Sequence, residues 1–257
     1  MLYATEAMYN INEKEMRQLE KIEEDHMRNI LDVKTGIQVP LHLMYLDLGQ
    51  VPARYQVKRF KVNFLQYILQ QDESSLLHRM LRAQQKEPVR GDWFSEVSNI
   101  IRDLDIGLNV EEIRTMKRTI FRKISKLKCE EAAFTALIQK RDNGKKGKHI
   151  KYGSSLEMAD YLCPNSQLTV QDQKDIFQIR SMTNPLPSNR GDPKPCSTSC
   201  GDLMENPHIY ICPVLNEEPQ GDLNRLLNGT LHEMKLALQQ WRENMKKVEY
   251  FESMDSI

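Results

Sequence analysis

The sequence lacks the features that place a chain in a membrane or on a secretory route. No apolar run approaches the roughly 20 residues that span a bilayer. The first residues contain neither the basic nor the apolar segment of a signal peptide. We therefore expect an intracellular protein, nuclear or cytoplasmic, in a compartment that keeps thiols reduced.

Familiar catalytic motifs are also missing. The chain has no Gly-rich phosphate loop, no H-E-x-x-H, no G-x-S-x-G and no adjacent pair of aspartates of the kind that holds polymerase magnesium. Five of the six histidines are scattered at positions that favour surface or packing roles: His26, His42, His78, His149 and His232. No catalytic residue is predicted, although an enzyme with an unrecognised site stays open.

Net charge is absent as well, because 36 basic side chains balance 36 acidic ones. Only local segregation of charge can therefore indicate a partner. With 257 residues, 40% of them hydrophobic, the chain can form one large domain or two small ones.

Helical periodicity and capping pairs dominate what is present, and no long period-two strand pattern occurs. Asn12 with Glu15, Asn109 with Glu112 and Thr169 with Asp172 resemble capping boxes. The span 33–54 is predicted to be a connector with an apolar island at 41–48. Helices are predicted over 12–31, 55–71, 74–85, 92–104, 110–140, 156–162, 170–182 and 222–251. Ser74 is the expected N-cap of the third of them.

The most specific motif is C-x3-C-x7-H-x3-C, formed by Cys196, Cys200, His208 and Cys212. Three thiols and an imidazole are the donors of a closed structural zinc site. His208 and Cys212 share a face if Pro207 opens a helical turn, and Gly201 suits a tight turn. We therefore predict zinc as the cofactor.

Two other interpretations of these cysteines remain. They are ordinary buried thiols, or Cys196 and Cys200 pair as a disulfide, which a reducing compartment disfavours. The remaining thiols, Cys129 and Cys163, fall in predicted helices and are expected to be buried or half-buried.

Positive charge concentrates between residues 111 and 151, where thirteen basic residues stand against five acidic ones. Arg118, Arg122 and Lys126 recur every four residues and line one helix face, and a lysine-rich loop follows. Such a face can neutralise the phosphates of a nucleic acid, and Tyr152 and Tyr210 could stack on its bases. The alternative is that the charged face is only solvated and that the two tyrosines are core or interface residues. The predicted nucleic-acid-binding residues are Arg114, Lys117, Arg118, Arg122, Lys126, Lys145, Lys146, Lys148 and Lys151.

The order of motifs resembles the region after the polymerase core of LINE-type, non-LTR retrotransposon reverse transcriptases. Residues 2–8, followed by 19–23 and 28–31, are similar to the family's thumb entry, with Ala4 and Met8 where Gly and Trp are usual. Gly49-Gln-Val-Pro52-Ala-Arg-Tyr55 and Gly91-Asp-Trp93 resemble its linker. Ile179-Arg-Ser-Met182, the Cys/His motif and the following Pro-x-Leu-Asn216 resemble its zinc end.

The resemblance implies a non-catalytic module that grips RNA and target DNA during target-primed reverse transcription, with a polymerase core as partner. It divides the chain into a thumb-like segment 1–54, a helical linker 55–183, a zinc knuckle 184–219 and a terminal helix 220–257. The expected fold is all-α, an irregular helical bundle with a C-terminal zinc knuckle and a long terminal helix.

A protein-interaction scaffold is the alternative function. Its features are the amphipathic helices predicted at 12–31 and 222–251, whose Met- and Leu-rich faces could bind partner helices.

Overall fold

The structure is a computed structural model. It describes residues 11–33, 38–87, 89, 91–144, 146–184, 196, 200, 206–216 and 223–254. Within these ranges every regular element is a helix, so the predicted all-α class is confirmed. None of the described helices is both long and apolar enough to cross a membrane.

Eleven α-helices and two short 3-10 helices lie in the described residues. The α-helices are α1 Glu13–Ile30, α2 Leu41–Leu48, α3 Ala53–Leu69, α4 Leu76–Lys86, α5 Trp93–Asp103, α6 Val110–Thr115, α7 Arg118–Asn143, α8 Val170–Arg180, α9 Asn206–Ile211, α10 Leu223–Asn228 and α11 Leu231–Met254. The 3-10 helices are Asp160–Leu162 and Pro164–Ser166.

The chain forms two compact units, each assembled from two stretches of sequence. Unit 1 comprises Met1–His26 and Gln50–Ala136, and unit 2 comprises Met27–Gly49 and Leu137–Ile257. The division into four consecutive segments, 1–54, 55–183, 184–219 and 220–257, stays a prediction from the sequence.

The core of unit 1 forms where α3, α5, α6 and α7 turn apolar side chains inward. Val62, Leu65, Val97, Ile113 and Phe121 are completely buried. A neighbouring aromatic pair, Phe64 and Trp93, packs edge to face with ring centroids 5.8 Å apart.

The single helix predicted over 110–140 is interrupted, which corrects that prediction. Met116 adopts an extended conformation between α6 and α7. The side-chain amide of Gln66 donates to the carbonyls of Ile113 and Met116, each at 3.1 Å. The carbonyls that lose their helical hydrogen bonds at this break thus accept hydrogen bonds from a side chain of α3. The interruption therefore lowers folding stability little.

In unit 2, α11 packs against α8, α9 and α10. The helix predicted over 222–251 is divided into α10 and α11, because Thr230 and Glu233 form a capping box that starts a new helix. The Thr230 amide donates to Glu233 Oε2 at 2.8 Å, and the Glu233 amide donates to Thr230 Oγ1 at 3.3 Å.

Three local predictions are also wrong. The apolar island at 41–48 is not a connector but the helix α2, ended by Gly49 in a left-handed conformation. Ser75 rather than Ser74 caps α4, since Ser74 bonds to Asp72. The helix predicted at 156–162 is replaced by the two 3-10 helices, with Cys163 between them.

Candidate metal centre

Cys196, Cys200, His208 and Cys212 converge on one point in unit 2. Their ligand atoms, three sulfurs and a ring nitrogen, all lie within 4.8 Å of one another. Cys196 Sγ is 3.9 Å from Cys212 Sγ, and Cys200 Sγ is 3.2 Å from His208 Nε2. Tetrahedral bonds of about 2.0–2.3 Å separate ligand atoms by roughly 3.5–3.8 Å, so this cluster can bind one metal ion.

Helix α9 and the residue after it supply two of the four ligands. His208 and Cys212 are four residues apart, and the Cys212 amide donates to the His208 carbonyl at 2.8 Å, as in a helical turn. Pro207 is the second residue of α9, so the predicted helical opening is present. The predicted turn at Gly201 lies outside the described residues.

Burial separates the cluster from solvent. Cys196, His208 and Cys212 are buried, and Cys200 is half-buried. Thiol and imidazole groups that are buried this close together, with no disulfide among the thiols, can all be satisfied by one shared cation. A closed, structural coordination sphere fits this burial better than one with an open catalytic position.

The backbone around α9 is held by side chains that follow it in the chain. Asn216 donates its amide to the carbonyls of Ile209 and Cys212, at 3.0 and 3.1 Å. Asn244 on α11 donates to the same Ile209 carbonyl and to Asn216 Oδ1, both at 2.8 Å. This amide network fixes the turn that carries two ligands. Asn216 was noted only as part of the resembling motif, and Asn244 was missed, since an isolated Asn in a helix has no distinctive spacing.

The alternative interpretations of the thiols can be compared with the geometry. All five cysteines lie among the described residues, and none of them forms a disulfide. Cys129 is buried in unit 1, where burial raises the pKa of its thiol to about 11. Cys163 is half-buried, as expected, although its predicted helix is absent.

Five of the predicted nucleic-acid-binding residues lie in unit 1. Lys117 precedes α7, and Arg118, Arg122 and Lys126 lie on α7 with exposed side chains. Arg118 also stacks over Tyr67, 5.1 Å from the ring centroid, and Lys126 lies 3.7 Å from Glu130. Arg114 is less available, because its guanidinium pairs with Glu73 at 3.1 Å.

The predicted lysine loop belongs to unit 2. Lys148 and Lys151 are exposed, and Lys145 lies outside the described residues. Lys146 is half-buried and donates to the Met182 carbonyl at 3.2 Å, and burial lowers the pKa of its ammonium group. The ammonium group of Lys146 is therefore engaged within unit 2, so it is less available to a phosphate than Lys148 and Lys151 are.

The two tyrosines considered as stacking partners for bases are not available. Tyr210 is completely buried and donates to the Ala237 carbonyl at 3.2 Å. Tyr152 donates to Asp47 at 2.8 Å, and the guanidinium groups of Arg141 and Arg180 lie 5.8 and 5.7 Å from its ring centroid. Both rings have packing roles, which was the alternative interpretation.

An apolar cavity of about 280 Å³ opens between α3, α4 and α5 in unit 1. Its lining is apolar apart from Gln84 and includes Phe64, Met80 and Trp93. No titratable group is found among its lining residues, so it lacks the convergent polar groups of a catalytic pocket.

Comparison of the chain with protein-family models, with curated proteins and with solved structures gave no match. The resemblance to non-LTR reverse transcriptases therefore stays a prediction from motifs.

Proposed function

We propose that the chain is a zinc-dependent module that binds RNA or DNA and has no catalytic centre of its own. The observation that carries the proposal is the convergence of Cys196, Cys200, His208 and Cys212 within 4.8 Å. Three thiolates and one imidazole in a closed site are a donor set typical of structural zinc, and small zinc knuckles recur in single-strand RNA recognition.

The second support is the exposed charge of α7. Arg118, Arg122 and Lys126 present three cations on one helix face with exposed side chains. Cations held this way attract a polyanion without reading its sequence, and each phosphate contact makes affinity more sensitive to salt. The motif resemblance adds the expectation that the module acts with the polymerase core of a retroelement, inside the cell.

Metal content is the first measurement. The purified chain should contain one zinc ion, and Cys212→Ser should lose it, as elemental analysis would show. Cys163→Ser is the matched control, because that half-buried thiol lies outside the cluster. Equal zinc in all three proteins would contradict the metal part of the proposal.

Nucleic-acid binding is tested by fluorescence anisotropy with labelled RNA and DNA across a salt series. Replacing Arg118, Arg122 and Lys126 with Gln should reduce the slope of log affinity against log salt by about 2 for a single strand, since each lost contact removes roughly 0.7. The control replaces three basic residues of α1, Lys14, Arg17 and Lys21, with Gln; all three are exposed. Equal slopes for the two triple variants would contradict the assigned face.

The scaffold alternative loses one of its two predicted surfaces. Leu226, Leu227, Leu238 and Trp241, from the second of the two amphipathic faces, are buried within unit 2. That face is occupied by the chain itself, so it offers little to a partner helix.

A further inference from the structure

Helix α7 carries a row of apolar side chains separate from its basic face. Ile120 and Leu127 are 48% and 55% exposed, and Phe134 is half-buried. These three residues recur every seven positions, so they lie nearly one above another on the helix. We call Ile120, Leu127 and Phe134 the α7 ridge; all three belong to unit 1.

The ridge supplies one apolar side chain in every seven residues, which is one of the two positions by which the helices of a coiled coil contact each other. Its length, from 120 to 134, is roughly 21 Å at 1.5 Å per residue. A single large apolar side chain at the surface is ordinary, but a seam of this length with seven-residue spacing fits the side of a second helix.

We propose that the α7 ridge is the contact of a symmetric dimer, in which α7 of one copy pairs antiparallel with α7 of a second copy. With Leu127 at the two-fold axis, Ile120 of one copy meets Phe134 of the other, because 120 and 134 are equally distant from 127. Such an isologous contact needs one self-complementary surface and no other partner.

The charges beside the ridge favour a second copy of the chain as the partner and an antiparallel orientation of the two α7 helices. Lys123 is exposed and Glu130 half-buried, and both lie on the same flank of the ridge, seven residues apart. In an antiparallel pair Lys123 of one copy lies opposite Glu130 of the other, twice by symmetry. In a parallel pair the same flank of the two copies would lie on opposite sides of the seam, so Lys123 and Glu130 would not meet and this attraction would be lost.

The acidic neighbours of the ridge have partners within each copy. The Glu130 carboxylate pairs with the Lys126 ammonium of the same helix at 3.7 Å. This pair is weak, so the carboxylate can also pair with the Lys123 ammonium of the second copy. On the other flank Glu131 is compensated by Lys128 at 3.3 Å. Because the seam is short, the dimer should be weak, with dissociation in the micromolar range.

The test is sedimentation equilibrium of the nuclease-treated full chain over a concentration series. The wild-type chain should dimerise in the micromolar range, and Leu127→Glu should be monomeric throughout. Lys123→Glu and Glu130→Lys should each raise the dissociation constant roughly tenfold, because each places two like-charge pairs in the dimer. Lys21→Glu, an exposed charge reversal on α1, should leave it unchanged.

Mixing the two charge-reversal variants gives the decisive result. An equimolar mixture should form heterodimers at the wild-type concentration, because each copy then presents the charge that the other lacks. Recovery on mixing also demonstrates that both variants are folded. A wild-type chain that is monomeric at all concentrations, a Leu127→Glu dimer of unchanged strength, or single variants that fail to recover on mixing would each overturn the proposal.

Discussion

Arg180 and Asp47 form an ion pair inside unit 2, with Nη2 3.0 Å from Oδ1 and side chains 4% and 1% exposed. Tyr161 and Tyr152 also donate to the Asp47 carboxylate, at 2.6 and 2.8 Å. Arg180 further donates to the Leu227 carbonyl, so one cation links α8, α2 and α10. Burial by itself lowers the pKa of Arg180, but the Asp47 carboxylate beside it raises that pKa to a net value above the ordinary one.

Removing the anion should be costly because the cation would stay buried. We expect Asp47→Ala to lower the free energy of unfolding by about 3–5 kcal/mol in urea denaturation. The control is Asp32→Asn, which weakens the ion pair of a mostly exposed carboxylate with Lys174 and should cost under about 1 kcal/mol. Asp32 has φ 49°, a conformation that Asn tolerates. Similar losses in the two variants would contradict the structural importance of the buried pair.

The same network predicts a weakness at alkaline pH. Burial, and next the charge of Asp47, raise the pKa of Tyr161 well above its ordinary value. An unfolded tyrosine loses its proton near pH ~10, so above that pH the unfolded state binds fewer protons than the folded one. The contribution of Tyr161 to folding stability is complete below the pKa of tyrosine in the unfolded chain. It is lost as pH rises from that value towards the higher pKa of Tyr161 in the folded chain.

We therefore expect the free energy of unfolding to fall above about pH 10, by up to roughly 1.4 kcal/mol per pH unit for each buried tyrosine. Tyr161→Phe should be less stable at neutral pH through its lost hydrogen bond, yet should have a shallower alkaline slope. Denaturant titrations at several pH values measure both quantities. Parallel curves for the variant and the wild type would exclude Tyr161 as a source of the slope.

Thiol reactivity should distinguish the three kinds of cysteine. Cys129 should react slowly in the folded chain, because its thiol is buried and its pKa is raised to about 11. Cys163 is half-buried and should react first. Cys196, Cys200 and Cys212 should react only after a chelator removes the metal, since bound thiolates are protected. Titration with a chromogenic disulfide, with and without chelator, counts these classes; full reactivity without chelator would contradict a metal-bound cluster.

Local chemistry made part of this structure predictable from sequence. The capping pairs at Asn109 and Thr169 begin α6 and α8 as expected, since the side chain and the amide that it satisfies are only three residues apart. The motif of Cys196 to Cys212 likewise places four metal-type donors within a short stretch. In both cases the interacting groups are neighbours in the chain.

Interactions between distant residues were not predictable in the same way. Helix α2 is buried from Leu43 to Leu48, so it has no polar face and shows no helical period. The break after α6 depends on Gln66, which lies 47 residues before Ile113. Arg180 appeared only as part of a resembling motif, because its partner Asp47 is 133 residues away. Each miss depends on a tertiary contact that local pattern does not encode.

Support of the metal ligands by Asn244 gives a final prediction. Its amide donates to the Ile209 carbonyl and to Asn216, which in turn holds the Cys212 carbonyl. Loss of groups that orient metal ligands typically lowers affinity by 10–100-fold, so Asn244→Ala should weaken zinc binding by about that factor in a competition titration with a chelating dye. Gln239→Ala, an exposed position on the same helix, is the control. If both variants keep wild-type affinity, α9 holds its two ligands in place without help from α11.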